Sequence, residues 1–169
     1  MVGLYVLIIV LANVITAMFQ PICFYNLIIP CGSFLVGVTF FLRDFIQLRI
    51  GRTNIYKLIL LAAVVSGAVS ISLGDSVSIA FASVISFFIS EAFDTEIFTR
   101  LRYSLAKRVI ISGLVGGILD STIFVLLALS PIGSGVLPWE SVPYAVLGQM
   151  IVKSGMQFIA LPIISKLRE

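Results

Sequence analysis

Apolar runs of about 20 residues, each closed by a short polar or Gly/Pro-bearing break, recur along the whole chain. At 1.5 Å per residue, a helix of that length crosses the hydrocarbon core of a bilayer. The runs predict spans at residues 2–19, 22–45, 56–73, 76–97, 109–130 and 142–164. The breaks fall at Gln20-Pro21, at Gly51 to Asn54, at Gly74-Asp75 and at Pro131 to Gly135. Pro30 and Pro162 lie inside predicted spans and should bend them. The expected fold is an all-α membrane protein, a single six-helix transmembrane domain over residues 1–169.

Composition agrees, with 60% hydrophobic and 11% charged residues and a mean hydropathy of +1.17. A soluble domain carries about a quarter charged residues. The net charge of +3 acquires meaning from its distribution. Arg43, Arg49, Arg52 and Lys57 follow or close the second run. Arg100, Arg102, Lys107 and Arg108 follow the fourth, and Lys166 and Arg168 follow the sixth. Of the 11 lysines and arginines, only Lys153 falls elsewhere, and the opposite connections hold only Asp75 and Glu140. The positive-inside rule then puts both termini in the cytoplasm of a multi-pass inner-membrane protein, with Trp139 and Tyr144 at the outer interface. No basic residue precedes the first run, so no secretory signal is expected.

The chain has no histidine, and Cys23 and Cys31 stand eight apart without partners at metal-ligand spacing, so both are read as small core residues. Nothing supplies a nucleophile–base constellation, a metal cluster or a phosphate-cradling loop. No enzyme activity, metal, cofactor or nucleic-acid partner is therefore expected.

The polar residues inside the runs are the candidate site. Glu91 and Asp94 share one helical face, continued upward by Ser83, Ser86 and Ser90. Nine residues separate Glu91 from Arg100, a depth of about 14 Å, and 12 separate Asp120 from Arg108, about 18 Å. Lys153, 13 residues before Lys166, lies about 20 Å deep, with Gln149 and Gln157 one turn either way. Asn13 is at comparable depth, and Thr16 shares its face. One lysine opposite at least two deep carboxylates leaves this set acid-rich. Intramembrane ionisable groups are costly and mark substrate or ion pathways; a Lys153–Asp120 pair that only ties two helices is the alternative. Arg43 and Asp44, at the inner end of the second run, read either as an interfacial pair with a snorkelling arginine or as a gate. The motifs Ser33-x-x-x-Gly37, Ala63-x-x-x-Gly67 and Gly113-x-x-x-Gly117 predict close helix contacts.

Several of these stretches together resemble the VUT family of vitamin uptake transporters. They are Ala12-Asn13, Leu42-Arg43-Asp44, Ser90-Glu91-Ala92-Phe93-Asp94-Thr95 with Phe98, and Arg100-Leu101-Arg102. Gly116-Gly117-Ile118-Leu119-Asp120-Ser121 and Lys153 with Pro162 complete the resemblance, which covers almost the whole chain. Gln47 stands where the family pattern leads one to expect an acidic residue, and the chain is short for the family. The resemblance implies uptake of a queuosine precursor, 7-cyano-7-deazaguanine or 7-aminomethyl-7-deazaguanine. Its expected partners are that purine-like small molecule and the lipid bilayer, with a homodimer allowed. The candidate substrate-binding residues are Asn13, Glu91, Asp94, Asp120, Gln149 and Lys153, and the candidate gating pair is Arg43 with Asp44. A guanine edge offers two parallel donors that one carboxylate accepts together. The rival expectations are a substrate-binding subunit of an ATPase-driven vitamin transporter and a non-transporting membrane scaffold. Docking of such a subunit is expected to use alanines four apart in the first helix, whereas Ala12 and Ala17 are five apart.

Overall fold

In the computed structural model, residues 1–166 are described, with side chains described through Ile159. The side chains of Pro162 and Lys166, and the whole of Arg168, lie outside the described residues, so the bend expected at Pro162 and the last two basic positions do too. Helix α1 runs Val2–Met18 and is followed by a hairpin of β1 (Ile22–Phe24) and β2 (Leu27–Ile29). Then come α2 (Ser33–Ile50), α3 (Arg52–Ser72) and α4 (Val77–Arg100). Helix α5 spans Leu105–Phe124 and continues into a π-helical turn, Val125–Leu129, and α6 spans Val142–Lys166.

Most elements follow the apolar runs, but the second run does not form one helix. Its first part folds back as an antiparallel hairpin in which Ile22 faces Ile29 and Phe24 faces Leu27. The two-residue turn Tyr25–Asn26 closes it, with Tyr25 at φ 52°. Pro21 and Pro30 bracket the hairpin, and Pro30 lacks the N–H that a helix interior requires, so α2 begins only at Ser33. Pro30 therefore terminates rather than bends. Cys23 lies exposed on this hairpin and Cys31 is half-buried, so the reading of both as core residues is corrected.

Each helix packs on two neighbours, which gives the order α1–α3–α4–α5–α6–α2 around a closed ring. Helix α2 also reaches α3, α4 and α5, so one part of it occupies the middle of the ring. An apolar core of Tyr5, Ile9, Ile46, Ile55, Ile59, Ala62 and Phe87 joins α1 to α4. The outward faces carry Leu60, Val64, Phe81, Phe93, Ile118, Leu147 and Ile151, all exposed. An apolar exterior around a polar interior is what a bilayer solvent selects. Among the described residues, α3, α4 and α5 with its π turn are long and apolar enough to cross a membrane. Helix α1 has 17 residues, and α2 has 18 that include Arg43, Asp44 and Arg49. The expected close helix contacts form at Gly37, Gly67 and Gly113, and a further one forms at Gly116, outside the predicted motifs. A Cβ on Gly37 would lie 2.7 Å from Met156 Cβ and 2.9 Å from the Lys153 carbonyl oxygen. One on Gly116 would lie 3.0 Å from the Phe40 ring and 3.1 Å from Asp94 Cβ.

A candidate transport site in two polar layers

The deep polar residues separate into two layers. The upper layer lines a chamber to which all six helices contribute. Lys153 Nζ donates to Asp120 Oδ2 at 2.6 Å, to Ser121 Oγ at 3.0 Å and to Gln149 Oε1 at 3.1 Å. Three acceptors use the full donor capacity of an ammonium group. Across the chamber, Asn13 Nδ2 donates to Ser66 Oγ at 2.8 Å. Ser83, Ser86, Phe87 and Phe124 also line this chamber, a cavity of about 90 Å³. Asn13, Thr16, Pro30, Ser83 and Phe124 also line an outer cavity of about 300 Å³, bounded by Ile28 of the hairpin, Asp75, Val136 and Leu137. The chamber therefore opens toward the end of the bundle that carries the acidic connections.

The lower layer is centred on Arg43, which is completely buried. Its Nε lies 2.9 Å from Glu91 Oε2, and its Nη2 lies 3.0 Å from Asp44 Oδ1 and beside Asp94 Oδ2, which makes three ion pairs. Nη1 donates to Gln47 Oε1 at 2.9 Å and to Thr95 Oγ1 at 3.0 Å. Of the guanidinium donors, only those on Nη1 make hydrogen bonds of good geometry, while Nε and Nη2 are held by charge alone. Gln47 Nε2 passes the network on to Thr99 Oγ1 at 2.8 Å. The packing of α2, α4 and α5 closes this end of the bundle.

The six candidate substrate residues are thus divided. Asn13, Asp120, Gln149 and Lys153 line the chamber, whereas Glu91 and Asp94 belong to the Arg43 cluster one to two turns below it. Arg43 and Asp44 were expected at the inner membrane surface, and the structure corrects this. Because α2 begins at Ser33, Arg43 is the eleventh of its 18 residues and lies mid-helix. The expectation of a single deep cation is corrected with it, since Arg43 joins Lys153 inside the bundle. Gln157 is buried against Gly113 and its amide has no hydrogen-bond partner among the described residues. It does not line the chamber. Sequence reasoning missed Ser66, Gln47 and Thr95 as partners. Gln47 had a signal, its i+4 spacing from Arg43, while Ser66 had none beyond being one hydroxyl in an apolar run.

No curated protein and no solved structure matches the chain. The family model described as "Putative vitamin uptake transporter" matches residues 64–167, well over half of the chain. The match holds Glu91, Asp94, Asp120, Gln149 and Lys153, and so both polar layers contribute residues to it. A multi-pass, largely helical protein with a polar chamber inside an apolar exterior fits a carrier of small molecules, and the chain belongs to this family of membrane transporters for vitamin-like substrates.

Proposed function

We propose that the chain imports a 7-deazaguanine queuosine precursor, 7-cyano-7-deazaguanine or 7-aminomethyl-7-deazaguanine, across the inner membrane. In this reading all six helices span the bilayer, both termini are cytoplasmic, and the chamber faces outward. The observation that carries the substrate class is the pairing of a half-used carboxylate with a fixed cation at one wall. Lys153 uses one acceptor site on Oδ2 of Asp120, which leaves Oδ1 and the second site on Oδ2 to accept from a ligand. The N1–H and exocyclic amine of a guanine-type edge are matched to such a carboxylate, and the amide nitrogen of Gln149, buried without a partner, is a donor for the base carbonyl. Phe87 and Phe124 supply apolar faces on which a planar ring packs.

The deciding experiment is uptake of labelled 7-cyano-7-deazaguanine by cells that cannot make it, with and without the transporter gene. The purified protein should also gain thermal stability from this base and not from unrelated vitamins. A stability gain from a non-purine vitamin, with none from deazaguanines, would replace the substrate.

A further inference from the structure

The lower layer does not balance electrically. Arg43 supplies one positive charge, while Asp44, Glu91 and Asp94 bring three carboxylates to the same guanidinium. All four side chains are buried, with at most 1% of any of them exposed. Burying uncompensated charge is far more costly than burying a neutral acid. Arg43 Nε and Nη2 meet the carboxylates only as ion pairs, and none of the oxygens of Glu91, Asp94 and Asp44 has a hydrogen-bond partner of good geometry among the described residues. A second group points at the same place: the Tyr5 hydroxyl, fully buried and itself without a hydrogen bond of good geometry, lies beside Glu91.

We propose that this cluster is a proton-binding site, with Glu91 as the carrier, and that proton passage through it drives transport; the coupling rests on the transport reading above. The groups facing Glu91 come from every helix packed around it. Helix α1 brings Tyr5, α2 brings Arg43 and Asp44, α4 brings Asp94, and α5 brings Asp120 from the layer above. Lys153 of α6 pairs with Asp120, and Arg108 donates to the Phe98 carbonyl oxygen at 2.9 Å; among the described residues neither forms an ion pair with Asp44, Glu91 or Asp94. A proton fits better than a sodium ion, because the guanidinium already fills the point on which the carboxylate oxygens converge. Phe87, one turn above Glu91, lines the chamber and packs in one apolar cluster with Tyr5, separating the chamber from the carboxylate. When the bundle opens outward past that pair, water gives up a proton and an O–H bond forms on the Glu91 carboxylate. When it opens at the basic end, that bond breaks and the proton passes to cytoplasmic water. The protonated, neutralised cluster is the form that can separate from α2, so proton loading and helix rearrangement become linked.

The test uses the full chain in phospholipid vesicles. Infrared spectra at neutral pH should contain the carbonyl stretch of a protonated buried carboxyl group. Glu91→Gln should remove that band, and Tyr5→Phe, which keeps the ring packing, should shift it. No such band in the wild-type protein, or its survival unchanged in Glu91→Gln, overturns the proposal. In the same vesicles an inward proton gradient should raise uptake of labelled 7-cyano-7-deazaguanine several-fold, and a protonophore should cancel the rise. Uptake indifferent to the proton gradient, or driven by sodium alone, overturns the coupling. If the base is not taken up under any gradient while the band behaves as expected, the substrate assignment fails and the proton site stands.

Discussion

Lys153 and Arg43 show how differently two buried cations are used. Lys153 holds one carboxylate and two neutral groups at the wall of a cavity, whereas Arg43 is ion-paired with three carboxylates and donates to Gln47 and Thr95 in a buried layer. Removing one member of a buried pair leaves the other unpaired, at a cost of roughly 3–5 kcal/mol, while replacing both with apolar residues is often neutral or stabilising. Lys153→Met alone should therefore lower the melting temperature, and Lys153→Met with Asp120→Leu should restore it. Transport should not return in the double variant, because the ligand's polar edge then meets hydrocarbon. Each polar group left unpaired there costs about 1–3 kcal/mol. Melting and uptake measured on one preparation separate the outcomes: a stable double variant with normal uptake would make the pair a helix tie and nothing more.

Helix contacts decide where those side chains end up. Helix α2 approaches α6 at Gly37, so closely that a side chain there would collide with the backbone carrying Lys153. Gly37→Leu should push α6 aside, cost about 1–3 kcal/mol by overpacking, and disturb the Lys153 contacts. Gly155, on the same helix as Lys153, faces open space: a Cβ there would meet nothing within 4 Å. Gly155→Ala should therefore be neutral or stabilising by up to about 1 kcal/mol through helix propensity. Thermal melts of the two variants in one detergent check the contrast. The hairpin is the other decisive element. Irregular backbone at membrane depth is tolerated only where protein or a water-filled cavity satisfies it, and Ile28 and Pro30 border the outer cavity.

For the whole molecule, the proposed orientation sets which end of the chamber is open to the outside. The outer cavity opens beside Asp75 and Leu137, and the exposed Tyr103 lies in the α4–α5 connection among the basic residues at the other end. With Cys23 and Cys31 changed to Ser, a cysteine at Ser134 should react with a membrane-impermeant reagent added to intact cells. A cysteine at Tyr103 should react only after the membrane is opened. The reverse pattern would turn the chamber toward the cytoplasm and reverse the proposed direction of transport.

The apolar runs and their breaks already located α1, α3, α4, α5 and α6 to within a few residues, because hydrophobic length is a local property that each segment carries alone. The family resemblance was legible for the same reason, in short runs such as Gly116 to Ser121. The hairpin was not, since residues 22–42 are largely apolar and apolarity does not distinguish a strand from a helix; only Pro30 hinted at the division. Because α2 starts at Ser33 and runs on to Ile50, past the expected end at residue 45, Arg43 sits mid-helix and buried rather than at a helix end. Depth along the chain could place Glu91, Asp94, Asp120 and Lys153 in the interior, but not say which acid each cation would meet. That choice depends on which helices are neighbours and how nearly glycines let them approach, so the tertiary structure selected the Lys153–Asp120 pair that the sequence had offered as one alternative, and it alone assigned Glu91 and Asp94 to Arg43.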